Sequence, residues 1–455
     1  MRVQWTLASG PVGKLRASAM DHPVLVVWLP ILLVLAVQAV TRQDSEWQDV
    51  YVAAARTLLS GKDLYAPGPY LYPPFSALLA VPFIALPTQA VRLVWYGMNV
   101  AALGVLLYSA WGLAAGPRIR GAGSMPSREW FSLALGTLGC VPYWLNTLAH
   151  QQTDLVIAAL LTAGCFVMTR DRIISGAVLI GLAAAFKGPP LLFVGYLAFR
   201  RRWLAASVTT VVALGANLLP DLIARPAGET WLGRWVGQIL LPTISAPVGT
   251  WNADQYNIFN QSLGGTLQRL ATSTWSYDTS GLVFSARDMV IEPTTLKAIV
   301  YALMLAMLVL SVGAALIGER ASPDVPADDR PGRAAIEMTT MIVLVLLMSP
   351  MSGLSHFAAL AAAMMCLSRM AVVERHRPSL IAFSIALIGA LAVNKDLVRA
   401  TAYDLVLWSG VTTASTIALW LACLLVLICG KASPSTAAFS RTIFFRGPRD
   451  LPSQR

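Results

Sequence analysis

The chain has 455 residues, of which 56% are apolar and only 13% are charged, about half the charged fraction of an ordinary soluble domain. This composition excludes an ordinary soluble domain. Apolar runs of about 18 residues or more indicate a protein that crosses the bilayer many times, and only helices satisfy their own backbone there. We therefore predict an all-α polytopic membrane protein. The clearest runs are 23–40, 92–116, 129–148, 203–223, 294–317, 354–373, 378–394 and 404–430.

The net charge of +11 is explained by its distribution, and we predict no nucleic-acid partner. Arginine-rich loops stay on the cytoplasmic side of a membrane, and placing them there requires about twelve transmembrane helices. It also requires 173–199 to cross twice, turning at "KGPP" (187–190). We expect 1–21 to be a cytoplasmic N-terminus, 22–430 the transmembrane domain and 431–455 a cytoplasmic tail.

The first extracytoplasmic loop is predicted to be 41–74, and it carries acidic residues. From Glu46 the pattern is typical of a helix that ends at Gly61, because glycine commonly follows a helix. Glu46 and Asp49, three residues apart, would share one face of its first turn. Paired prolines then favour an extended turn and a new helix at Phe75.

Several polar residues lie at the ends of apolar runs on the same predicted side. Asp154 begins one run, Lys187 ends another and His356 lies just inside a third. Ionisable groups at membrane depth are costly, so a functional role is the first hypothesis; snorkelling of a helix-end side chain is the alternative. Their shared side favours a polar cavity that opens outward.

A second long outer segment is predicted at 224–293. Trp231, Trp235 and Ile239 have helical spacing, which suits either a helix lying in the interface or an ordinary packed helix. "YNIFNQSLGGTLQRL" (256–270) follows it, and a loop this long is usually functional when ordered.

From about residue 45 to 360, five motifs occur in a familiar order. They are "EW…YVAA…GKDLY…YPPFSALLAVPFIALP", "QQTDLVIAALL", "GLAAAFKGPPLLFVGYLAFRRRW", "NQSLGGTLQRL" and "SPMSGLSH". In these motifs the chain resembles the bacterial GT-C-fold glycosyltransferases that use polyprenyl-phosphate sugars, a group that includes mycobacterial polyprenol-phosphate-mannose-dependent α-mannosyltransferases. It departs from their pattern in having Glu46 for Asp, Gln151 for Gly, Asp154 for Asn and Gly353 for Trp, and His356 is displaced by one position.

The resemblance implies a GT-C-like fold with short extracytoplasmic helices, in a bacterial plasma membrane. It also implies transfer of a sugar, most simply mannose, from a polyprenyl-phosphate donor to a glycolipid or glycan acceptor on the extracytoplasmic face. Arabinofuranose or another hexose is the alternative sugar. No cofactor and no metal site are expected.

The residue roles follow from that chemistry. Glu46 is the first candidate for the base that takes the acceptor's proton, and Asp49 is the second. Lys187 and His356 would hold the donor phosphate. The remaining substrate-binding candidates are Tyr72, Gln152, Asp154, Asn260 and Gln261.

A secondary transporter or lipid flippase is the alternative function. It would also have many helices and polar groups near the midplane, but it should show inverted repeats of broken segments. The sequence shows none, and its polar residues favour one face.

Overall fold

The computed structural model describes residues 23–42, 44–116, 125–226, 228–249, 257–278, 281–286, 291–321 and 330–429. The first helices are α1 (Pro23–Thr41), α2 (Ala53–Leu59), α3 (Pro74–Ala80), α4 (Thr88–Leu113), α5 (Ser127–Leu138), α6 (Val141–His150), α7 (Asp154–Met168), α8 (Ile173–Phe186), α9 (Leu192–Phe199) and α10 (Trp203–Leu218). They are followed by α11 (Trp231–Trp235), α12 (Leu241–Ser245), α13 (Leu263–Thr272), α14 (Pro293–Ala321), α15 (Arg330–Met348), α16 (Ala361–Val372), α17 (Arg377–Ala392), α18 (Ala400–Ser409) and α19 (Val411–Cys429).

Other helical turns extend several of these elements. Turns of 3-10 helix are Val81–Ala85, Pro189–Leu191, Leu219–Leu222 and Leu354–Leu360, and turns of π-helix are Trp47–Val52 and Val236–Leu240. Two strands, β1 (Ser273–Asp278) and β2 (Gly281–Ala286), form an antiparallel hairpin.

Among the described residues, five helices are long and apolar enough to cross a membrane, and six further apolar helices are shorter. The five are Thr88–Leu113, Trp203–Leu222, Pro293–Ile317, Leu354–Val372 and Val411–Cys429. The prediction of a multi-pass helical membrane protein is therefore confirmed, but a count of twelve spans is not. One predicted run, 129–148, divides into α5 and α6, with Pro142 in the first turn of α6, where proline is tolerated.

The core surrounds the helix that begins at Leu354. In its apolar window 89% of the residues are buried, against 33% for Pro293–Ile317. Met364, Met365 and Leu367 of α16 are fully covered. This helix is therefore central, and α14 presents most of its surface outward, as a lipid-facing helix does.

The segment 173–199 turns back as predicted. Thr209 of α10 donates to the carbonyl of Ala177 in α8 (3.2 Å), and Asn217 donates to that of Ala185 (3.3 Å). The contact positions increase in residue number along both helices, so α8 and α10 are parallel. The short α9 between them in sequence must therefore run in the opposite direction. Lys187, in extended conformation (φ −142°), ends α8 just before the prolines.

Helices α7 and α8 are antiparallel and pack closely through small residues. A Cβ atom on Gly176 would lie 2.6 Å from the carbonyl oxygen of Gly164, and one on Gly164 would lie 2.7 Å from Ile180. Small residues allow this approach between membrane helices. As a result, the start of α7 and the end of α8 lie at the same end of the bundle.

The segment predicted to be the first outer loop has the predicted helix and turn. The π-helical turn that follows Glu46 continues into α2, and Gly61 adopts a left-handed conformation (φ 68°) just after it. The next helix begins at Pro74, one residue before the predicted position. Trp47 anchors the segment, because its ring stacks on Trp95 of α4 at 3.5 Å between centroids.

The segment predicted to be the second outer loop has a packed helix and an unexpected hairpin. Trp231 is buried (1% exposed) and Trp235 donates to the carbonyl of Leu71 (3.1 Å), so packing explains the start of this helix. The hairpin was not predicted within an all-α fold. Its strands are rich in β-branched and aromatic residues, and Trp275 faces Phe284 in the register.

Candidate active site

Three of the predicted site residues meet where α7 starts and α8 ends. The Lys187 ammonium lies 2.9 Å from Oδ1 of Asp154 and 3.3 Å from Nε2 of His356. Asp154 and Lys187 are only 4% and 8% exposed. The antiparallel pairing of α7 and α8 brings Asp154 and Lys187 together, and the 3-10 turn at Leu354–Leu360 contains His356.

Glu46 faces this group from the first outer segment. The Tyr72 hydroxyl donates to Oε1 of Glu46 (2.8 Å), and the Lys187 ammonium lies 5.2 Å from the centroid of the Tyr72 ring. Tyr72 also stacks on Tyr51, with ring centroids 4.7 Å apart. A carboxylate and a cation therefore share one site and have a tyrosine between them.

Burial raises the pKa of the Glu46 carboxyl above its ordinary value of 4.5. The positive charge of Lys187 and the hydrogen bonds from Tyr72 and Gln152 lower this pKa, and the charge of Asp154 raises it further. A half-buried carboxylate with a raised pKa is a stronger proton acceptor once ionised, which suits a general base.

Asp49 has a different environment from Glu46. Its carboxylate accepts a hydrogen bond from the backbone N–H of Ser45 (2.9 Å), and the residue is exposed. The Ser45 hydroxyl in turn accepts from the N–H of Gln48 (3.3 Å), so the two side chains bond reciprocally at the start of the helical segment, as in a capping box. The structure thus brings Glu46, and not Asp49, to the cationic group.

Within the described part of the chain, three buried polar atoms of this site have no hydrogen-bond partner. They are Oδ2 of Asp154, Oε1 of Gln152 and Nδ1 of His356. Buried polar atoms are nearly always paired, so this concentration makes the cluster a candidate site for a polar ligand. Two of the atoms are acceptors, which suit the hydroxyl groups of a sugar.

Asn260 and Gln261 are completely buried. The Asn260 amide donates to the carbonyl of Pro350 (3.0 Å) and accepts from the N–H of Ser352 (3.1 Å). The Gln261 amide donates to the carbonyl of Leu407 (2.8 Å). Both residues support the loop that leads to His356, and direct contact with a sugar stays a prediction for them.

Sequence reasoning did not select Ser45, Tyr51 or Thr153, although all three contact this site. The Tyr51 hydroxyl lies 3.2 Å from that of Thr153, next to Asp154, and the Ser45 hydroxyl donates to Oε1 of Gln151 (2.5 Å). Each of the three is adjacent to a selected residue or on the same helical turn. That adjacency is the signal that could have found them.

The fold and the site define a multi-pass helical membrane protein in which a carboxylate and a cation share one candidate site. The chain belongs to glycosyltransferase family 87, whose model matches residues 70–350, more than half of its length. Membership of a glycosyltransferase family decides between the two functions that the sequence left open, in favour of a transferase.

Two curated relatives carry more specific names. A polyprenol-phosphate-mannose-dependent alpha-(1-2)-phosphatidylinositol mannoside mannosyltransferase of Mycobacterium tuberculosis is 29% identical over 40% of this chain and 46% of its own length. A corresponding pentamannoside mannosyltransferase of Mycolicibacterium smegmatis is 27% identical over 45% of each chain. The chain thus spans about half the length of the curated relatives it matches.

Among solved structures, the chain is similar to ArnT from Cupriavidus metallidurans bound to undecaprenyl phosphate. The sequence identity is 13%, and the match covers 90% of this chain and 78% of that one with a TM-score of 0.30. A score this low does not define a shared fold.

Proposed function

We propose that this protein transfers mannose from a polyprenyl-phosphate donor to a hydroxyl group of a glycolipid or glycan acceptor. Family membership supports the reaction class, and the printed names of the two mycobacterial relatives support the donor and the sugar. The observation that carries the proposal is the meeting of Glu46, Tyr72, Lys187 and Asp154 at one end of the bundle.

The reaction we propose is a displacement at the anomeric carbon of the donor sugar. The acceptor oxygen bonds to that carbon, and the bond to the phosphate oxygen breaks with its electron pair passing to the phosphate. Glu46 takes the hydroxyl proton as general base. Lys187 stabilises the negative charge that grows on the departing polyprenyl phosphate.

Asp154 and Gln152 would bind the donor sugar. Their unpartnered oxygens are acceptors, so they can receive hydrogen bonds from sugar hydroxyls without competing for the phosphate. His356, 3.3 Å from the Lys187 ammonium, would share the phosphate with it. Tyr72 positions Glu46 through its hydroxyl and borders the cation through its ring.

The donor proposal is tested by incubating the purified, lipid-reconstituted protein with labelled polyprenyl-phosphate mannose, arabinofuranose and glucose and a mixture of membrane glycolipids. Transfer from the mannose donor is expected, with release of one polyprenyl phosphate per sugar transferred. A preference for arabinofuranose or glucose would correct the sugar and keep the reaction. Absence of transfer from every donor, in protein that still binds polyprenyl phosphate, would overturn the proposal.

We further propose that the site faces the extracytoplasmic side of a bacterial plasma membrane. Glu46 and Ser60 belong to the same outer segment, and Arg172 lies at the opposite ends of α7 and α8 from Asp154 and Lys187. The arginines of the predicted inner loops favour the cytoplasm for that opposite end.

Cysteine labelling tests this orientation. Four of the five native cysteines are buried, so a Cys429→Ser background reduces unspecific reaction. In intact cells, a membrane-impermeant maleimide should label Ser60→Cys but not Arg172→Cys, since both positions are exposed in the fold. Labelling of Arg172→Cys from outside would reverse the orientation, and permeabilised cells serve as the control for its reactivity.

A further inference from the structure

Gln151 has a backbone conformation that glutamine rarely adopts. It follows the last residue of α6 with φ 53° and ψ 43°, in the left-handed region. Glycine is the residue that usually occupies this position after a helix, because a Cβ atom is strained there. A glutamine at a position suited to glycine indicates that its side chain has a use.

The Gln151 side chain connects three parts of the chain. Its Oε1 accepts from the Ser45 hydroxyl (2.5 Å), and its Nε2 donates to the carbonyls of Ala39 and Arg92, both at 3.3 Å. Its own carbonyl accepts from the Trp95 indole (2.9 Å). The residue is 2% exposed, so these bonds are protected from water.

These bonds link the two segments on which the candidate active site is built. Ser45 immediately precedes Glu46, and Gln151 immediately precedes Gln152, whose side chain lowers the pKa of Glu46. Asp154 follows two residues later as the first residue of α7. Movement at Gln151 would therefore change the separation between the proposed base and the groups that bind the donor.

We infer that Gln151 is a positioning residue for the transfer reaction, and that it holds the Glu46 segment against the Gln152–Asp154 turn through its bond to Ser45. This inference rests on the function proposed above. It predicts that the bond affects the chemical step more than donor binding, because Lys187 is held by Asp154 and does not contact Gln151.

The test compares Gln151→Gly, Ser45→Ala and the double variant, in the full-length reconstituted protein. Ser45→Ala should lower kcat about tenfold, which is the effect of one lost hydrogen bond. Gln151→Gly should lower it at least as much, because it removes the bonds to Ala39 and Arg92 as well as the bond to Ser45; donor KM should stay within about twofold of wild type in both. The double variant should lose no more than Gln151→Gly alone, since that change already removes the bond to Ser45. Unchanged kcat in Ser45→Ala, or multiplied losses in the double variant, would overturn the inference.

Asp171→Gly is the matched control. Asp171 is also left-handed (φ 59°) but is exposed, at the far end of α7. The change relieves the same backbone strain and should leave kcat unaltered. If Gln151→Gly does not fold, Ser45→Ala decides, because it removes a single hydroxyl group that donates to Gln151 at 2.5 Å and accepts only a longer bond, 3.3 Å, from the N–H of Gln48.

A second readout separates this inference from the proposed function. Carbodiimide labels protonated carboxyl groups, and the pH midpoint of labelling at Glu46 can be followed by mass spectrometry. Burial raises the Glu46 pKa, so loosening the segment in Gln151→Gly should move the midpoint to lower pH, and Asp171→Gly should not. An unchanged midpoint contradicts the positioning role even if wild-type protein transfers no mannose.

Discussion

Glu46→Gln is expected to lower the rate of sugar transfer by at least 10²-fold, the lower end of what a general base contributes. The change removes one charge at nearly constant shape and preserves an oxygen that can accept the Tyr72 hydrogen bond. Folding should therefore be little affected. The measurement is the single-turnover transfer rate at saturating donor, together with the thermal unfolding temperature.

Asp49→Asn is the matched control for Glu46→Gln, because it makes the same chemical change on the exposed side of the same segment. Its transfer rate should stay near that of wild type, since an amide oxygen can still accept from the Ser45 N–H. If Asp49→Asn is the inactive variant and Glu46→Gln is active, the base is Asp49. Near-normal turnover in both variants would show that the base does not lie in this loop.

The acidic limb of the wild-type pH profile tests the same assignment. Burial raises the pKa of Glu46 above 4.5, and a base must be ionised to act. Transfer should therefore increase with pH through a midpoint above that of an ordinary glutamate, and this limb should be absent from the residual activity of Glu46→Gln.

Replacement of Lys187 is expected to have the second large effect. In Lys187→Ala the donor phosphate loses its cationic partner, and binding of polyprenyl phosphate should weaken about 10- to 100-fold, as expected for a hydrogen bond to a charged group. The same change leaves Asp154 buried without its partner, which is strongly destabilising in itself. Binding is measured by titration of the reconstituted protein with labelled polyprenyl phosphate.

The double variant Lys187→Ala, Asp154→Asn removes both charges and separates the two effects. It should regain the unfolding temperature lost by Lys187→Ala while donor binding stays weak. Asp154→Asn alone leaves Lys187 without its carboxylate partner, so the positive charge is fully available to the phosphate. This variant should bind polyprenyl phosphate at least as tightly as wild type. Full donor affinity in the double variant would show that Lys187 has only a structural role.

Sequence reasoning located the cluster of Asp154, Lys187 and His356 because helix ends and loop charges determine which residues share a face. The choice between Glu46 and Asp49 needed the structure. The segment begins as a π-helical turn, which departs from the usual helical spacing, and Asp49 turns back to cap the chain at Ser45.

Asn260 and Gln261 have contacts that the sequence did not predict. Their predicted contact with sugar stays a prediction, and the structure shows in addition that their amides bond to backbone carbonyls. These bonds depend on loops around Pro350 and Leu407 that are distant in sequence. The residue pattern within one segment does not predict contacts with such loops. The hairpin at residues 273–286 was missed for a related reason, because strand pairing is a contact between two segments.

The shortness of α9 determines how deep a lipid substrate must lie. Eight α-helical residues and one 3-10 turn separate Lys187 from Arg200, a rise of about 18 Å, against a hydrocarbon layer of about 30 Å. In the orientation proposed above, with Arg200 at the cytoplasmic surface, Lys187 would lie below the outer headgroup level unless the bilayer thins beside it. A polyprenyl phosphate would then reach Lys187 in a locally thinned leaflet, and hydrophobic mismatch would make transfer sensitive to acyl-chain length in the surrounding membrane.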